Sequence, residues 1–361
     1  MATSFTLGLH VDGDGSHPAA WRDARHTPDR LLAGAHPAHV ASQAQSAGFS
    51  YLTYAGSHLP PSDGADVRGR FDAVQSAAFT APLTSSIGLI PQVPVTYIEP
   101  FHTATQVASI DYSSHGRAGV LFSAENSAEA AAQFGREALT ADELAQEVVD
   151  VVAVNRLLWD SWEDDAVIRD LPTGRFFDRD KLHYVDFAGA GFTVKGPSII
   201  PRPPQGQLPV LVPAEHAAGV DADAVLVPVS ADLAQAAEAA RADRNVRVIA
   251  DLEIALDSRG ELGADRLARL DARTPWAAGA AQRFTGSADE LVALLTELSA
   301  TVDGVRLIPA SLAIDLDELA YAVLPQLLAA GVLVAPRPGQ TLRETFGLPV
   351  AANVFAAEGA K

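Results

Sequence analysis

Five polar side chains stand where alternating apolar runs end: His10, Tyr54, Gln92, Ser123 and Glu125. In an enzyme built on parallel barrel strands, substrates are met at the C-terminal strand ends, so these positions are candidates for chemistry. The imidazole of His10 titrates near neutrality and suits a donor to a substrate oxygen. Glu125 suits a general base or a counter-charge. The competing reading of each is a satisfied hydrogen bond at the barrel rim. Asp12-Gly-Asp14-Gly-Ser16, with Asp23 eleven positions after Asp12, echoes a calcium loop. However, its sixth position is His17 where that motif needs glycine, so a rim loop is expected instead. His36 and His39 stand three apart with no third ligand in sequence reach, which makes a poor zinc site and suits capping or surface histidines. No Gly-x-Ser-x-Gly elbow is present to anchor a hydrolytic triad. Trp21, Trp159, Trp162 and Trp276 are expected to pack in the interior rather than to stack on a ligand.

Composition narrows the partner classes. The chain has 361 residues, 48% hydrophobic and 20% charged, enough for one large core. Its net charge of −19, from 45 acidic and 26 basic residues, repels phosphate backbones and anionic lipid surfaces, so neither nucleic acid nor membrane is expected as a partner. The absence of cysteine excludes disulfides, thiolate metal sites and cysteine nucleophiles together. No apolar run approaches the roughly 20 residues of a membrane helix, and the N-terminus has no basic-then-apolar leader. A cytoplasmic protein is the expectation.

These candidates need elements to hold them. Strands are predicted at Phe5–Val11, Phe49–Tyr54, Ser85–Ile90, Arg117–Ser123, Val210–Val212, Ala224–Val229, within Val246–Leu256, and at Gly304–Ile308. Helical spacing fills the intervals at His36–Gly48, Phe71–Thr80, Ile98–Ile110 and Thr140–Trp162, and near 231–243, 287–299 and 315–330. Thr140 with Glu143, and Ser287 with Glu290, are capping-box signatures. Eight strands alternating with helices predict a (β/α)8 TIM barrel, in the α/β class, formed as a single domain over 1–361. A doubly wound sheet is the rival, but Gly-Asp-Gly-Ser after the first strand is no dinucleotide fingerprint. Residues 163–208 form an insertion before the fifth strand. In it the runs Leu182–Phe187 and Gly191–Lys195 flank Gly-Ala-Gly as a hairpin, and Pro201, Pro203 and Pro204 extend the crossing.

The insertion also carries a resemblance. Gly191-Phe-Thr-Val-Lys-Gly-Pro197 followed by Pro201-Arg-Pro-Pro-Gln-Gly206 resembles the nitrilotriacetate and dibenzothiophene-sulfone monooxygenase branch of the bacterial luciferase-like family. Further matches follow in order: His17-Pro-Ala-Ala-Trp-Arg22, Tyr97-Ile-Glu-Pro-Phe-His102, Ala108-Ser-Ile-Asp111 with Gly116-Arg-Ala-Gly119, Ala131-Ala-Gln-Phe-Gly135, Leu158-Trp-Asp-Ser-Trp162, Phe284-Thr-Gly-Ser287, and Thr341-Leu-Arg-Glu344 with Phe346-Gly-Leu348. The resemblance implies a barrel that dimerises through its helices. It implies reduced FMN supplied by a separate flavin reductase, oxygen as oxidant and a small organic molecule as substrate; some relatives use a deazaflavin instead. It points to Tyr54, Gly56, Gln92, Ser123 and Ala214 as cofactor-binding positions, and would let His10 donate toward substrate or activated oxygen with Glu125 as the base.

The chain departs from the family pattern at the flavin contacts. Ala55-Gly56-Ser57 replaces Ala-Asp-Ser, and Pro94 stands where a serine or threonine is expected. Val120-Leu121 replaces Trp-Asn, and Leu144-Ala145 an Arg-Tyr pair whose tyrosine reaches the phosphate. After the fifth strand, Ala214-Glu-His-Ala-Ala-Gly-Val-Asp221 runs almost directly into the sixth, so the helix N-terminus that would hold the phosphate is shortened. Two readings follow. One is a flavin- or deazaflavin-dependent oxidoreductase with a displaced phosphate anchor; the other is a barrel that has lost flavin and serves as a binding or partner subunit.

Overall fold

Thr6–Val11 is buried almost throughout, as a strand covered on both faces must be. Seven further strands share that character: Tyr51–Tyr54, Gly88–Pro94, Val120–Ser123, Val210–Pro213, Ala224–Pro228, Arg247–Leu256 and Gly304–Pro309. The computed structural model of the chain describes residues 5–27, 30–61, 66–242 and 244–358. In it these eight strands pair in parallel, each with its sequence neighbour, and the first pairs with the eighth, which closes the barrel. The (β/α)8 barrel predicted from the alternation is therefore the fold.

The barrel interior follows the two-residue period. Tyr51, Ile90, Leu121, Leu211, Ala224, Leu226 and Ile249 point inward, and Leu342 and Phe346 from the C-terminal segment plug the floor. Tyr51 meets Phe346 edge to face at 5.3 Å. Gly8 makes room for the Tyr51 ring, which would lie 2.2 Å from a Cβ placed there. The larger core lies outside the strands, against the helices Ala35–Ala47, Ala73–Thr80, Pro100–Ser114 and Ala141–Asp160. Gly48 ends the first of these at a left-handed φ of 100°, and both predicted capping boxes, Thr140–Glu143 and Ser287–Glu290, are formed.

The structure differs from the sequence reading in several elements. The third strand does not stop before Pro91 but continues through Pro91 to Pro94, giving up a ladder donor at each proline. The predicted hairpin is present but short, Phe187–Ala188 against Thr193–Val194. A second hairpin, Val167–Asp170 against Arg175–Phe177, was not foreseen because both its faces are largely exposed and no alternation marks it. A helix at Gly263–Asp271 and a ninth parallel strand, Arg283–Gly286, beside the outer half of the seventh, also went unread. The helix expected over 315–330 starts at Leu312 and passes through a π turn at Leu319–Val323.

Candidate active site

At the C-terminal ends of the strands the barrel opens into a cavity of about 250 Å³. Its polar lining is Gln92, Ser123, Glu215, Asp251, Glu253 and Arg306. Three of these sit on strands whose alternation aims them inward. Asp251 and Glu253 are two apart on the seventh strand, and Arg306 on the eighth lies directly opposite Asp251 in register. The guanidinium holds the Asp251 carboxylate bidentately, Nε to Oδ1 at 2.8 Å and Nη2 to Oδ2 at 2.6 Å. Burial opposes the charge on Arg306 and Asp251 outweighs it, so the guanidinium stays protonated. Its remaining nitrogen, Nη1, is buried with no hydrogen-bond partner, as is the Tyr51 hydroxyl.

Glu253 is held by Arg283 at 2.8 Å, and Arg283 stacks 3.8 Å over the Trp276 ring. Burial pushes the Glu253 carboxyl above its ordinary range, against the pull of Arg283. Of the tryptophans expected only to pack, Trp276 thus supports a charged pair at the mouth, whereas Trp159 is buried with its indole N–H on the Ala104 carbonyl.

The structure brings Gln92 and Ser123 together. The Gln92 amide donates to the Ser123 hydroxyl at 3.3 Å, and both line the cavity. His10 lies on the inner face of the first strand, where its Nδ1 meets the Thr53 hydroxyl at 3.0 Å, and it is not among the residues lining this cavity. Burial, then Arg306 and Arg70, holds its pKa well below the ordinary histidine value, so the ring is neutral at physiological pH. It can still donate or accept one hydrogen bond, but it is no proton reservoir there.

The other candidates are placed otherwise. Tyr54 points outward into the helix layer, where its buried hydroxyl bonds Thr80 at 2.7 Å, so it cannot reach a ligand in the mouth. The strand period explains this: Tyr51 and Thr53 take the inward positions, which leaves Tyr54 outside. The Glu125 carboxylate is consumed by the second-strand loop, accepting from the Ser57 hydroxyl at 2.6 Å and from the His58 backbone N–H. It clamps a loop rather than standing free as a base. Gly56 is pressed against the third strand, and a Cβ there would meet the Gln92 carbonyl oxygen at 2.0 Å. No side chain fits there without a shift of the backbone. Ala214 is exposed at the start of a three-residue turn, Ala214–His216, and the sixth strand begins only eight residues later, at Ala224.

The calcium-like loop does not gather. Asp12 turns to Arg70 and Asp23 to Arg269. His39 is exposed, whereas His36 turns toward Asp14. Asp251, Glu253 and Arg306 are the lining residues that sequence reasoning missed. Charged residues at two-residue spacing within otherwise apolar strands were the available signal.

Comparison with known proteins fits this architecture. Residues 24–293 match the luciferase-like monooxygenase family. The chain is 36% identical over 213 residues to an N-acetyl-S-(2-succino)cysteine monooxygenase of Bacillus subtilis, covering 58% of this chain and 47% of that protein. It is 34% identical over 229 residues to nitrilotriacetate monooxygenase component A of Aminobacter aminovorans, covering 58% and 49%. The chain thus spans about half the length of the curated relatives it matches. A crystallised long-chain alkane monooxygenase superposes with a TM-score of 0.82 at 18% identity, over 96% of each chain. With the match running from the first barrel loop to the helix after the ninth strand, the chain belongs to the luciferase-like monooxygenase family.

Proposed function

We propose that the protein is a flavin-dependent monooxygenase that uses reduced flavin and oxygen to oxidise a small organic substrate. The observation that carries this reading is the polar cavity at the strand ends, the place where a barrel of this family does its chemistry. A flavin supplies the electrons and the oxygen-activating ring, while the protein supplies position and exclusion of water.

The residues present fit a flavin ring and do not fit its phosphate at the fifth strand. The Gln92 amide, the Ser123 hydroxyl and the unpartnered Arg306 Nη1 offer donors to an acceptor-rich heterocycle. The cavity, at about 250 Å³, is just below the roughly 300–1,000 Å³ typical of ligand pockets, which suits a ring system more than a whole nucleotide. At the exit of the fifth strand there is no helix of useful length, and Glu215 presents a carboxylate where a dianion would sit. The flavin is therefore held chiefly through its ring. FMN is the expected form, with a deazaflavin as the alternative.

A separate flavin reductase would supply the reduced cofactor; the relative named as one component of a nitrilotriacetate monooxygenase supports that division of labour. We further infer a cytoplasmic homodimer. No helix among the described residues is long and apolar enough to cross a membrane.

Titration with reduced FMN, oxidised FMN, riboflavin and deazaflavin tests the reading. FMN and riboflavin should bind within a few-fold of each other, because the phosphate finds no anchor. Failure of all four to bind near millimolar concentration would overturn the enzyme assignment and leave a barrel that acts as a binding subunit. A large preference for FMN over riboflavin would show that a phosphate site exists elsewhere.

A further inference from the structure

We propose that Asp14, His26 and His36 form a binding site for one divalent transition-metal ion, with Zn²⁺ the best match to their donor set. The three side chains come from separate parts of the chain: the loop after the first strand, the segment following the turn Ala20–Asp23, and the first turn of helix Ala35–Ala47. Their ligand atoms all lie within 4.8 Å of one another. Asp14 is buried, its side chain 4% exposed, and the two imidazoles are partly covered at 21% and 17%. This site is separate from the barrel mouth and does not depend on the flavin assignment.

The hydrogen bonding of His26 places a proton or a metal ion between it and Asp14. Its Nδ1 lies 2.9 Å from the Thr27 carbonyl, which can only accept, so Nδ1 carries a proton. In the neutral ring, Nε2 then presents a lone pair to Asp14 Oδ1, 2.6 Å away. Two lone pairs at that distance repel unless a second proton or a metal ion lies between them. A proton on His26 Nε2 satisfies that pair, and His36 Nε2 in turn donates to the Gly13 carbonyl at 3.0 Å, so a metal ion would replace both protons. His36 places its Nε2 3.9 Å from the same carboxylate oxygen, and its ring meets that of His26 edge-on at 4.8 Å. Tetrahedral zinc with bonds of about 2.0–2.1 Å sets its ligand atoms roughly 3.3 Å apart, between the two separations observed. The Gly13 carbonyl, once His36 Nε2 gives up the proton it donates there, would stand beside the fourth position.

The donor set and the backbone both narrow the ion. Two imidazoles and a carboxylate favour zinc and its neighbours over calcium or magnesium, which take oxygen ligands. The loop is already fixed: Ser16 and His17 donate their N–H groups to the carbonyls of Pro309 and Ala310, and Leu312 donates to the Asp14 carbonyl. Gly15 is pressed so closely on Ala310 that a Cβ would lie 2.3 Å from its carbonyl oxygen. A metal here would tie the first loop of the barrel's C-terminal face to the start of its first helix.

The test is calorimetric titration of the tag-free, EDTA-treated chain with Zn²⁺, together with Co²⁺ absorption spectroscopy. One ion per chain is expected. Asp14→Asn, His26→Gln and His36→Gln should each weaken affinity by more than about 100-fold, beyond what loss of an outer-sphere partner costs, and His39→Gln should leave it unchanged. Co²⁺ in the unsubstituted chain should give the intense visible bands of a four-coordinate ion, a readout that does not depend on any variant folding. No stoichiometric binding, a weak octahedral Co²⁺ spectrum, or affinity that ignores the three substitutions would each overturn the site.

Discussion

Arg306→Met should destabilise the barrel by about 3–5 kcal/mol, the usual cost of stranding one member of a buried ion pair. The structure makes this pair a strict instance. The Arg306 side chain is 9% exposed and that of Asp251 18%, and two parallel hydrogen bonds join them. At a separation near 2.7 Å and an effective dielectric of about 20, the gross attraction is about 6 kcal/mol, most of which repays the desolvation of both ions. Removing the guanidinium leaves Asp251 facing Glu253 two residues along the same strand face, with Arg283 already committed to Glu253. The double variant Arg306→Met with Asp251→Leu removes both charges, so it should recover most of the loss and lie within about 1 kcal/mol of the parent. Urea denaturation followed by tryptophan fluorescence measures all four corners of the cycle. Additive losses, with the double variant worse than either single, would refute the pairing and leave Arg306 as a ligand donor alone.

Gly56→Ala should cost at least the ~1–3 kcal/mol of an overpacked site, because the clash at 2.0 Å is with the Gln92 backbone carbonyl and no side chain can yield; thermal denaturation checks it, and an unchanged midpoint would show that the loop can move. Glu215→Gln should strengthen FMN binding while leaving riboflavin unaffected, since the carboxylate at the fifth-strand exit repels only the phosphate; equal effects on both in a fluorescence titration would contradict this. Asp111 gives a pH dependence. Burial pushes its pKa from 3.8 up to about 6 in the folded chain despite donors from Gln205 and Ala118, so between those values the folded state binds more protons than the unfolded one. Its contribution is therefore fully present below pH 3.8 and lost as pH rises through 6, about 3 kcal/mol at 1.36 kcal/mol per unit. The stability difference between the parent and Asp111→Asn, measured at pH 4.5 and 7.5, should shift in that direction, and a constant difference would refute it.

The barrel was legible because each of its eight strands carries a short apolar run, as burial on both faces requires, and the two-residue period then tells the inner face from the outer. Arg283–Gly286 lacks such a run: it is mostly half-exposed and lies beside only the outer half of the seventh strand, so nothing local marks it. The same period carried more than was taken from it. Tyr54 stands at a strand end, yet counting back from it puts Tyr51 and Thr53 on the inner face and Tyr54 among the helices. Asp251 and Glu253 could have been read as inward charges by that count. Their partners could not, because the pairing of Asp251 with Arg306 depends on register between strands separated by more than fifty residues. Asp14, His26 and His36 were beyond sequence reach for a similar reason: a turn between them brings the three together.

Several of the motifs that identify the family meet at the floor of the barrel, opposite the polar cavity at its mouth. Asp111, from the Ala-Ser-Ile-Asp stretch, accepts from the Ala118 N–H and from both the backbone and the side-chain amide of Gln205. Gln205, from the proline-rich crossing, in turn accepts from the N–H of Arg343, in the Thr-Leu-Arg-Glu stretch. Leu342 of that same stretch enters the barrel floor, close to Gly88 and Gly119 at the start of the third and fourth strands. Four separate motifs thus converge on one buried node at the N-terminal face, where barrels keep residues for stability rather than catalysis. Several departures lie at the other face: Gly56 sealed against Gln92, Pro94 at the end of the third strand, and a short turn with Glu215 after the fifth. A stable floor leaves the loops above it free to change without loss of the fold. A chain can therefore belong to the luciferase-like family by its floor while its mouth departs from the family pattern.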